Sequence, residues 1–159
     1  MRFDPGRPTT PEQIPWHPYF TMLNSGYEDR VALTRAIMHI LDGWGLDAAE
    51  QMAILSLPKG TPSRALRRYR DNTPFPEDAG VMERIEHLVG IADALRTSYP
   101  HNPQMGAYWV NQPNRRFDDR TPRTIMTAGG LSGIVAVRSH LDCAFDQDEH
   151  LVLPGTGSD

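Results

Sequence analysis

Cysteine is almost absent from this 159-residue chain, in which Cys143 is the only one. A single thiol excludes an internal disulfide framework and a four-thiolate zinc site. No apolar run approaches the ~20 residues that cross a bilayer. The N-terminal residues also lack the apolar stretch of a secretory signal. We therefore expect a cytoplasmic protein.

The chain also lacks a recognisable active site. Its six histidines stand singly, and no two form the H-x-x-x-H pair of a helical zinc site. Gly129-Gly130 is not followed by Lys-Ser/Thr, so it is no phosphate-binding loop. Cys143 follows Leu141 on an apolar helix without a nearby candidate base, which favours a core cysteine over a nucleophile. We expect no enzymatic activity, no cofactor and no metal, and we interpret the acidic run from Asp146 as part of a C-terminal tail rather than as a metal site.

Lysine is nearly missing too, since Lys59 is the only one among 16 basic residues. Arginine presents a planar donor fork that suits phosphates, base edges and protein interfaces, although a GC-rich genome would explain its frequency equally well. The net charge of -4 argues weakly against a nucleic-acid-binding protein. The distribution of the arginines therefore matters more than the total charge.

Helical spacing of apolar residues predicts an all-α fold, and no segment shows strand alternation with hairpin turns. The pattern predicts one helix over about 28–41 and a second that starts at Asp47, where Asp47 and Glu50 form a capping box. A third helix is predicted over 63–70, capped by Thr61, and a fourth over 77–98. Three more helices are predicted: one contains residues 105–110, one follows Thr121-Pro122, and the last spans 131–145.

We divide the chain into an N-terminal arm (1–27), a helix-turn-helix and dimerisation domain (28–100), a small C-terminal helical module (101–145) and a tail (146–159). The arm contains five prolines in its first 18 residues and then several apolar residues. It is expected to pack on its own domain or on a partner subunit. This apolar surface, together with the first helix, predicts a homodimer or larger assembly.

Residues 28–71 follow the order of a helix-turn-helix: helix, glycine turn, helix, tight turn and basic helix. A recognition helix enters the major groove, where arginine can bind phosphates and guanine. We predict a DNA-binding surface of Thr61, Ser63, Arg64, Arg67, Arg68 and Arg70. A solvated basic helix in a plain bundle is an equally weighted alternative.

The C-terminal half adds a more specific pattern. Its parts are Trp109-x-x-x-Pro113-Asn114-x-x-Phe117, Thr121-Pro122-x-x-x-Met126-x-x-Gly129-Gly130-Leu131 and Val137-Arg138-x-x-Leu141-Asp142. With Trp44-Gly45-Leu46-x-x-x-Glu50-Gln51, this pattern resembles the Xre/MbcA/ParS type of antitoxin over about residues 28–145. The chain departs from the family where Asp118 or Asp119 replaces glycine and Arg123 replaces leucine. How the loop before Thr121 packs stays open.

The resemblance implies an N-terminal Xre-like DNA-binding domain that dimerises and a C-terminal toxin-binding domain. The partner toxins carry a RES domain and consume NAD, by hydrolysing it or by ADP-ribosylating a protein. The antitoxin would block the NAD pocket of the toxin, and the complex would bind operator DNA and repress the shared operon. The expected toxin-binding residues are Trp109, Asn114, Phe117, Arg138, Asp146, Asp148, Glu149, Leu151, Leu153 and Pro154.

The tail suits this inhibition because its carboxylates can replace the pyrophosphate of NAD against arginine and backbone donors. We expect it to be disordered alone and to order on binding. A solvated tail without a role is the alternative. For the whole protein, the alternative is a helix-turn-helix transcriptional regulator whose Tyr108, Trp109 and Phe117 line a small-molecule pocket.

Overall fold

A computed structural model describes the backbone of residues 26–152 and the side chains of residues 26–144. Over these residues the fold is all-helical, which confirms the predicted fold class, and the only β pairing is one isolated bridge between Asn114 and Arg120. The α-helices are α1 (Tyr27–Gly43), α2 (Ala48–Leu55), α3 (Ala65–Asp71), α4 (Ala79–Ser98), α5 (Gln104–Val110), α6 (Pro122–Ala128) and α7 (Gly130–Val152), with a 3-10 turn at Arg115–Phe117.

The long helix α4 is the centre of the described core. Its residues Ile85, Leu88 and Ile91 are fully buried. The helix packs most extensively against α7, and it also contacts α1, α2 and α5. One apolar cluster therefore joins both halves of the described chain.

The helix caps predicted at Asp47 and Thr121 are confirmed. The carboxylate of Asp47 accepts from the Glu50 amide at 2.8 Å, and Glu50 accepts from the Asp47 amide at 2.9 Å. The hydroxyl of Thr121 accepts from the Thr124 amide at 3.0 Å, with Pro122 in the first turn of α6. Both caps use side chains within three residues of the helix start, so local sequence is enough to specify them.

The cap predicted at Thr61 is wrong. The helix begins at Ala65, and Arg64 at its N-cap makes no side-chain capping bond. The hydroxyl of Thr61 donates instead to the carbonyl of Pro58 at 2.6 Å. The segment before this helix is a tight turn, in which the amides of Ala65 and the next two residues donate to carbonyls three positions earlier.

The last helix is longer than predicted. Its backbone is helical to Val152, so the first half of the predicted tail (146–152) continues α7 beyond the expected end at Phe145. This segment has no glycine or proline before Pro154, which explains why the helix continues. Leu153, Pro154 and most of the N-terminal arm lie outside the described residues.

Candidate functional site

Three aromatic side chains join α5, the 3-10 turn and α7. The indole of Trp109 stacks on the imidazole of His140, with ring centroids 6.0 Å apart, and Phe117 meets the same imidazole edge-on at 5.4 Å. Burial lowers the pKa of His140, and the nearby positive charge of Arg116 lowers it further. Trp109 and Phe117 therefore hold the loop between α5 and α6 against α7, which leaves Trp109 half-buried and Phe117 buried.

The same loop is closed by its own backbone. The amide of Asn114 donates to the carbonyl of Arg120 at 3.0 Å, and the Asn114 side chain accepts from the Arg116 amide at 2.9 Å. Asp118 and Asp119 both have a left-handed backbone, with φ of 59° and 65°. The resemblance predicted glycine at one of these two positions, and aspartate is among the few other residues found in this conformation.

Arg138, expected at the toxin interface, lies half-buried between α4 and α7. A Cβ atom at Gly90 would lie 2.5 Å from the guanidinium carbon of Arg138, so only glycine lets this side chain cross α4. The Nη1 atom of Arg138 is 3.2 Å from Nδ1 of His87. The side chain thus contributes to helix packing.

Arg123, the second departure from the family pattern, connects α6 to the N-terminal half. Its Nε and Nη2 atoms donate to the two carboxylate oxygens of Glu50 at 3.0 and 2.6 Å. Nη2 also donates to the carbonyl of Gly45 at 2.9 Å, and Nη1 donates to Oδ1 of Asn111 at 2.9 Å. We call these four residues (Gly45, Glu50, Asn111 and Arg123) the Arg123 clamp.

The clamp also orients neighbouring groups. Nδ2 of Asn111 donates to the carbonyls of Trp44 at 2.9 Å and Ala107 at 2.8 Å. Hydrogen bonds from Arg123, followed by the backbone bond from Asp47, hold the pKa of Glu50 below its usual value. The end of α5, the start of α6 and the cap of α2 therefore share one hydrogen-bond network.

The predicted DNA-binding residues divide into two groups. Arg64, Arg67 and Arg68 are exposed on and before α3, as is Ser63, whereas the half-buried Thr61 bonds within its own turn. Arg70 binds the carboxylate of Asp42 in α1 with two bonds of 2.7 and 2.8 Å. The bonds from Arg70 are also the main reason why the pKa of Asp42 is lowered.

The Arg70–Asp42 pair includes Gln51 of α2, which accepts from Arg70 at 2.9 Å and donates to Asp42 at 2.7 Å. Three helices meet at this ion pair. The guanidinium of Arg70 therefore joins α1, α2 and α3, whereas Arg64, Arg67 and Arg68 are exposed and make no ion pair among the described residues.

Two large apolar side chains in the C-terminal half are exposed, Tyr108 of α5 at 57% and Val135 of α7 at 36%. Small side chains surround Val135 on the outer face of α7, where Ser132, Ala136 and Ser139 are also exposed. The predicted core position of Cys143 is wrong, because this residue is exposed near the same face. Helical spacing from Ser132 and Ser139 places it there rather than beside Leu141.

A groove of about 390 Å³ lies where α1 meets α4 and α5. It is lined partly by Trp44, Leu95 and Tyr99. None of Tyr108, Trp109 and Phe117 lines it, so the groove is not the small-molecule pocket that those residues were expected to form. Among the described residues, no group of three or more potential metal ligands comes together, and no helix is long and apolar enough to cross a membrane.

Over the described residues the fold is all-helical, and its C-terminal half exposes Tyr108 on α5 and Val135 on α7. Residues 94–143 match the family model of the antitoxin Xre/MbcA/ParS C-terminal toxin-binding domain. The resemblance predicted from the sequence is thereby confirmed over this segment, which runs from the end of α4 into α7. No curated protein matches the chain. The match supports an antitoxin role in a toxin–antitoxin system, with a toxin as the partner.

Proposed function

We propose that this chain is a type II antitoxin of the cytoplasm, without catalytic activity, that neutralises a RES-domain toxin by covering its NAD pocket. The complex would also repress its own operon by binding operator DNA. The observation that carries the proposal is the match of residues 94–143 to an antitoxin toxin-binding domain. The RES partner and the DNA-binding role come from the sequence resemblance.

On the toxin side, we propose that the outer face of α7 and its continuation form the contact. The exposed Tyr108 and Val135 supply apolar area within the matched segment. Trp109, Asn114, Phe117 and Arg138 then support this surface by packing and by closing the loop. The tail residues Asp146, Asp148, Glu149, Leu151, Leu153 and Pro154 remain the predicted contacts with the NAD pocket.

Paired tyrosine substitutions test this surface. Tyr108→Glu should abolish growth rescue when the antitoxin is co-expressed with the proposed RES-domain toxin, because a buried, unpaired charge weakens an interface. Tyr27→Glu is the matched control, since Tyr27 is equally exposed at 59% but lies in α1, outside the matched segment. Equal rescue by both variants would remove Tyr108 from the interface.

A truncation tests the tail. Ending the chain after Phe145 should leave the fold and DNA binding unchanged but allow the toxin to arrest growth. Full growth rescue by the truncated protein would move the inhibitory contact onto residues before 146.

On the DNA side, we propose that Arg64, Arg67 and Arg68 contact the operator, with Ser63 and Thr61 beside them. Two such surfaces in a homodimer would face successive major grooves, about 34 Å apart. Arg67→Ala with Arg68→Ala should abolish retardation of promoter DNA and leave toxin binding intact. The matched control, Arg35→Ala with Arg96→Ala, removes the same charge from other exposed positions. Equal losses of DNA binding in both double variants would show that only the net charge matters and not the position of these arginines.

Salt and size measurements complete this test. Operator binding should weaken steeply as salt rises, since phosphate contacts release counterions. Light scattering should give at least twice the chain mass of 17.9 kDa. A monomer at all concentrations would contradict the paired arrangement.

A further inference from the structure

The matched toxin-binding segment is not structurally independent of the rest of the chain. It covers residues 94–143, yet Arg123 within it is held by Glu50 and by the carbonyl of Gly45, both outside it. Asn111 within the segment likewise binds the carbonyl of Trp44 at 2.9 Å. Helix α6 also packs directly on α2.

The guanidinium of Arg123 is well suited to fixing this geometry. It forms four hydrogen bonds to three residues, and two of them make a bidentate pair with one carboxylate. Bidentate charge-assisted bonds are both stronger and more directional than single neutral ones. The side chains of Arg123 and Glu50 are only 29% and 27% exposed, so water competes weakly for this pair.

The carboxylate of Glu50 performs two tasks at once. The same Oε1 atom that binds Arg123 accepts from the Asp47 amide and so closes the capping box of α2. A displacement of α6 would therefore pull on Glu50 and disturb the capping box in the first turn of α2. Helix α2 in turn contacts Arg70 of the basic helix through Gln51.

We propose that Arg123 is a positioning residue, which fixes α6 and the end of α5 against α2 within a toxin-binding domain that the apolar core already joins to the N-terminal helices. Glu50 and Gly45 are then part of the functional toxin-binding unit although the family segment excludes them. The effect on toxin binding rests on the proposed function, whereas the connection of α6 to α2 does not.

The test compares hydrogen exchange in the isolated full chain for Arg123→Met, which keeps side-chain bulk but removes the donors, and for Arg96→Met. Arg96 is a suitable control because its ion pair joins only Asp93, three residues away on the same helix. In Arg123→Met, amides of α6 and of the first turn of α2 should exchange about tenfold faster. Unchanged exchange in α2 would overturn this connection.

A double-variant cycle isolates the pair. Glu50→Gln keeps an acceptor for the Asp47 amide but removes the charge, so Arg123→Met should speed exchange much less in that background. Full additivity would show that Arg123 acts without Glu50 and would overturn the clamp.

Toxin affinity gives the functional readout. Arg123→Met should weaken binding to the RES-domain toxin about tenfold, and Arg35→Met, at an exposed position of α1 outside the matched segment, should leave it unchanged. If exchange accelerates but affinity stays at the value of the unsubstituted protein, the positioning role is overturned. If the unsubstituted protein itself fails to bind, the proposed function fails, and the exchange data still decide the clamp.

Discussion

Gly133 lies at the closest approach of α6 and α7, and replacing it should separate these helices. A Cβ atom at this position would lie 3.1 Å from the carbonyl carbon of Ile125 and closer still to its oxygen. Because heavy atoms pack best at about 3.5–4.0 Å, Gly133→Ala requires a displacement of roughly 1 Å. The neighbours Met126, Ile134 and Val137 are fully buried, so the core cannot absorb this movement freely.

The expected cost follows from two opposing effects. Overpacking of a well-packed core destabilises by about 3 kcal/mol at the upper end of its usual range. Alanine gains about 1 kcal/mol over glycine in a helix. The net loss of about 2 kcal/mol corresponds to a fall in melting temperature of about 6 °C for a chain of this length.

Thermal unfolding followed by circular dichroism measures this change. Gly43→Ala is the control, because a Cβ atom at Gly43 meets nothing within 4 Å and should leave stability unchanged or raise it slightly. An unchanged or higher melting temperature for Gly133→Ala would refute the close packing of α6 on α7.

Three other substitutions test separate features. Asp118→Gly should raise the free energy of unfolding by about 0.5 kcal/mol in urea denaturation, because relief of the left-handed backbone exceeds the entropy glycine adds to the unfolded chain; a loss would contradict the strain. The unsubstituted protein should lose stability as pH falls below 6.5, since burial lowers the pKa of His140 in the folded state and the unfolded state then binds more protons. His140→Phe should keep the stack on Trp109 and reduce this loss below pH 6.5; an unchanged pH profile would assign the loss to other groups. Arg70→Leu should lower the free energy of unfolding by about 1 kcal/mol. This value is reduced for solvent screening, because the side chains of Arg70 and Asp42 are 41% and 40% exposed. A denaturation midpoint equal to that of the unsubstituted protein would refute the network.

Local features of the fold could be predicted from the sequence, and long-range ones could not. The caps at Asp47 and Thr121 depend on residues only three positions away, so their signals lie in adjacent letters of the sequence. The partner of Arg123 is 73 residues away, and only tertiary packing brings the two together. Nothing in the local pattern distinguishes Arg123 from an exposed arginine.

The same limit applies to the candidate sites. Arg70 shares its helix with exposed arginines, but Asp42, 28 residues earlier, occupies its guanidinium. Arginine is usually a surface residue, but Arg138 lies between two helices because Gly90 has no Cβ atom to exclude its side chain. From the sequence, Tyr108 is a candidate pocket residue, whereas the structure exposes it on α5. Sequence alone does not fix which face of a short helix meets solvent.

The most direct test of the account is inhibition of the toxin as antitoxin is added. NAD consumption by the RES-domain toxin proposed as the partner would be measured at increasing antitoxin and at several NAD concentrations. Occlusion of the NAD pocket predicts that activity falls to zero at saturation and that higher NAD weakens the apparent affinity of the antitoxin. A saturated complex that still consumes NAD at the full rate would contradict the central claim.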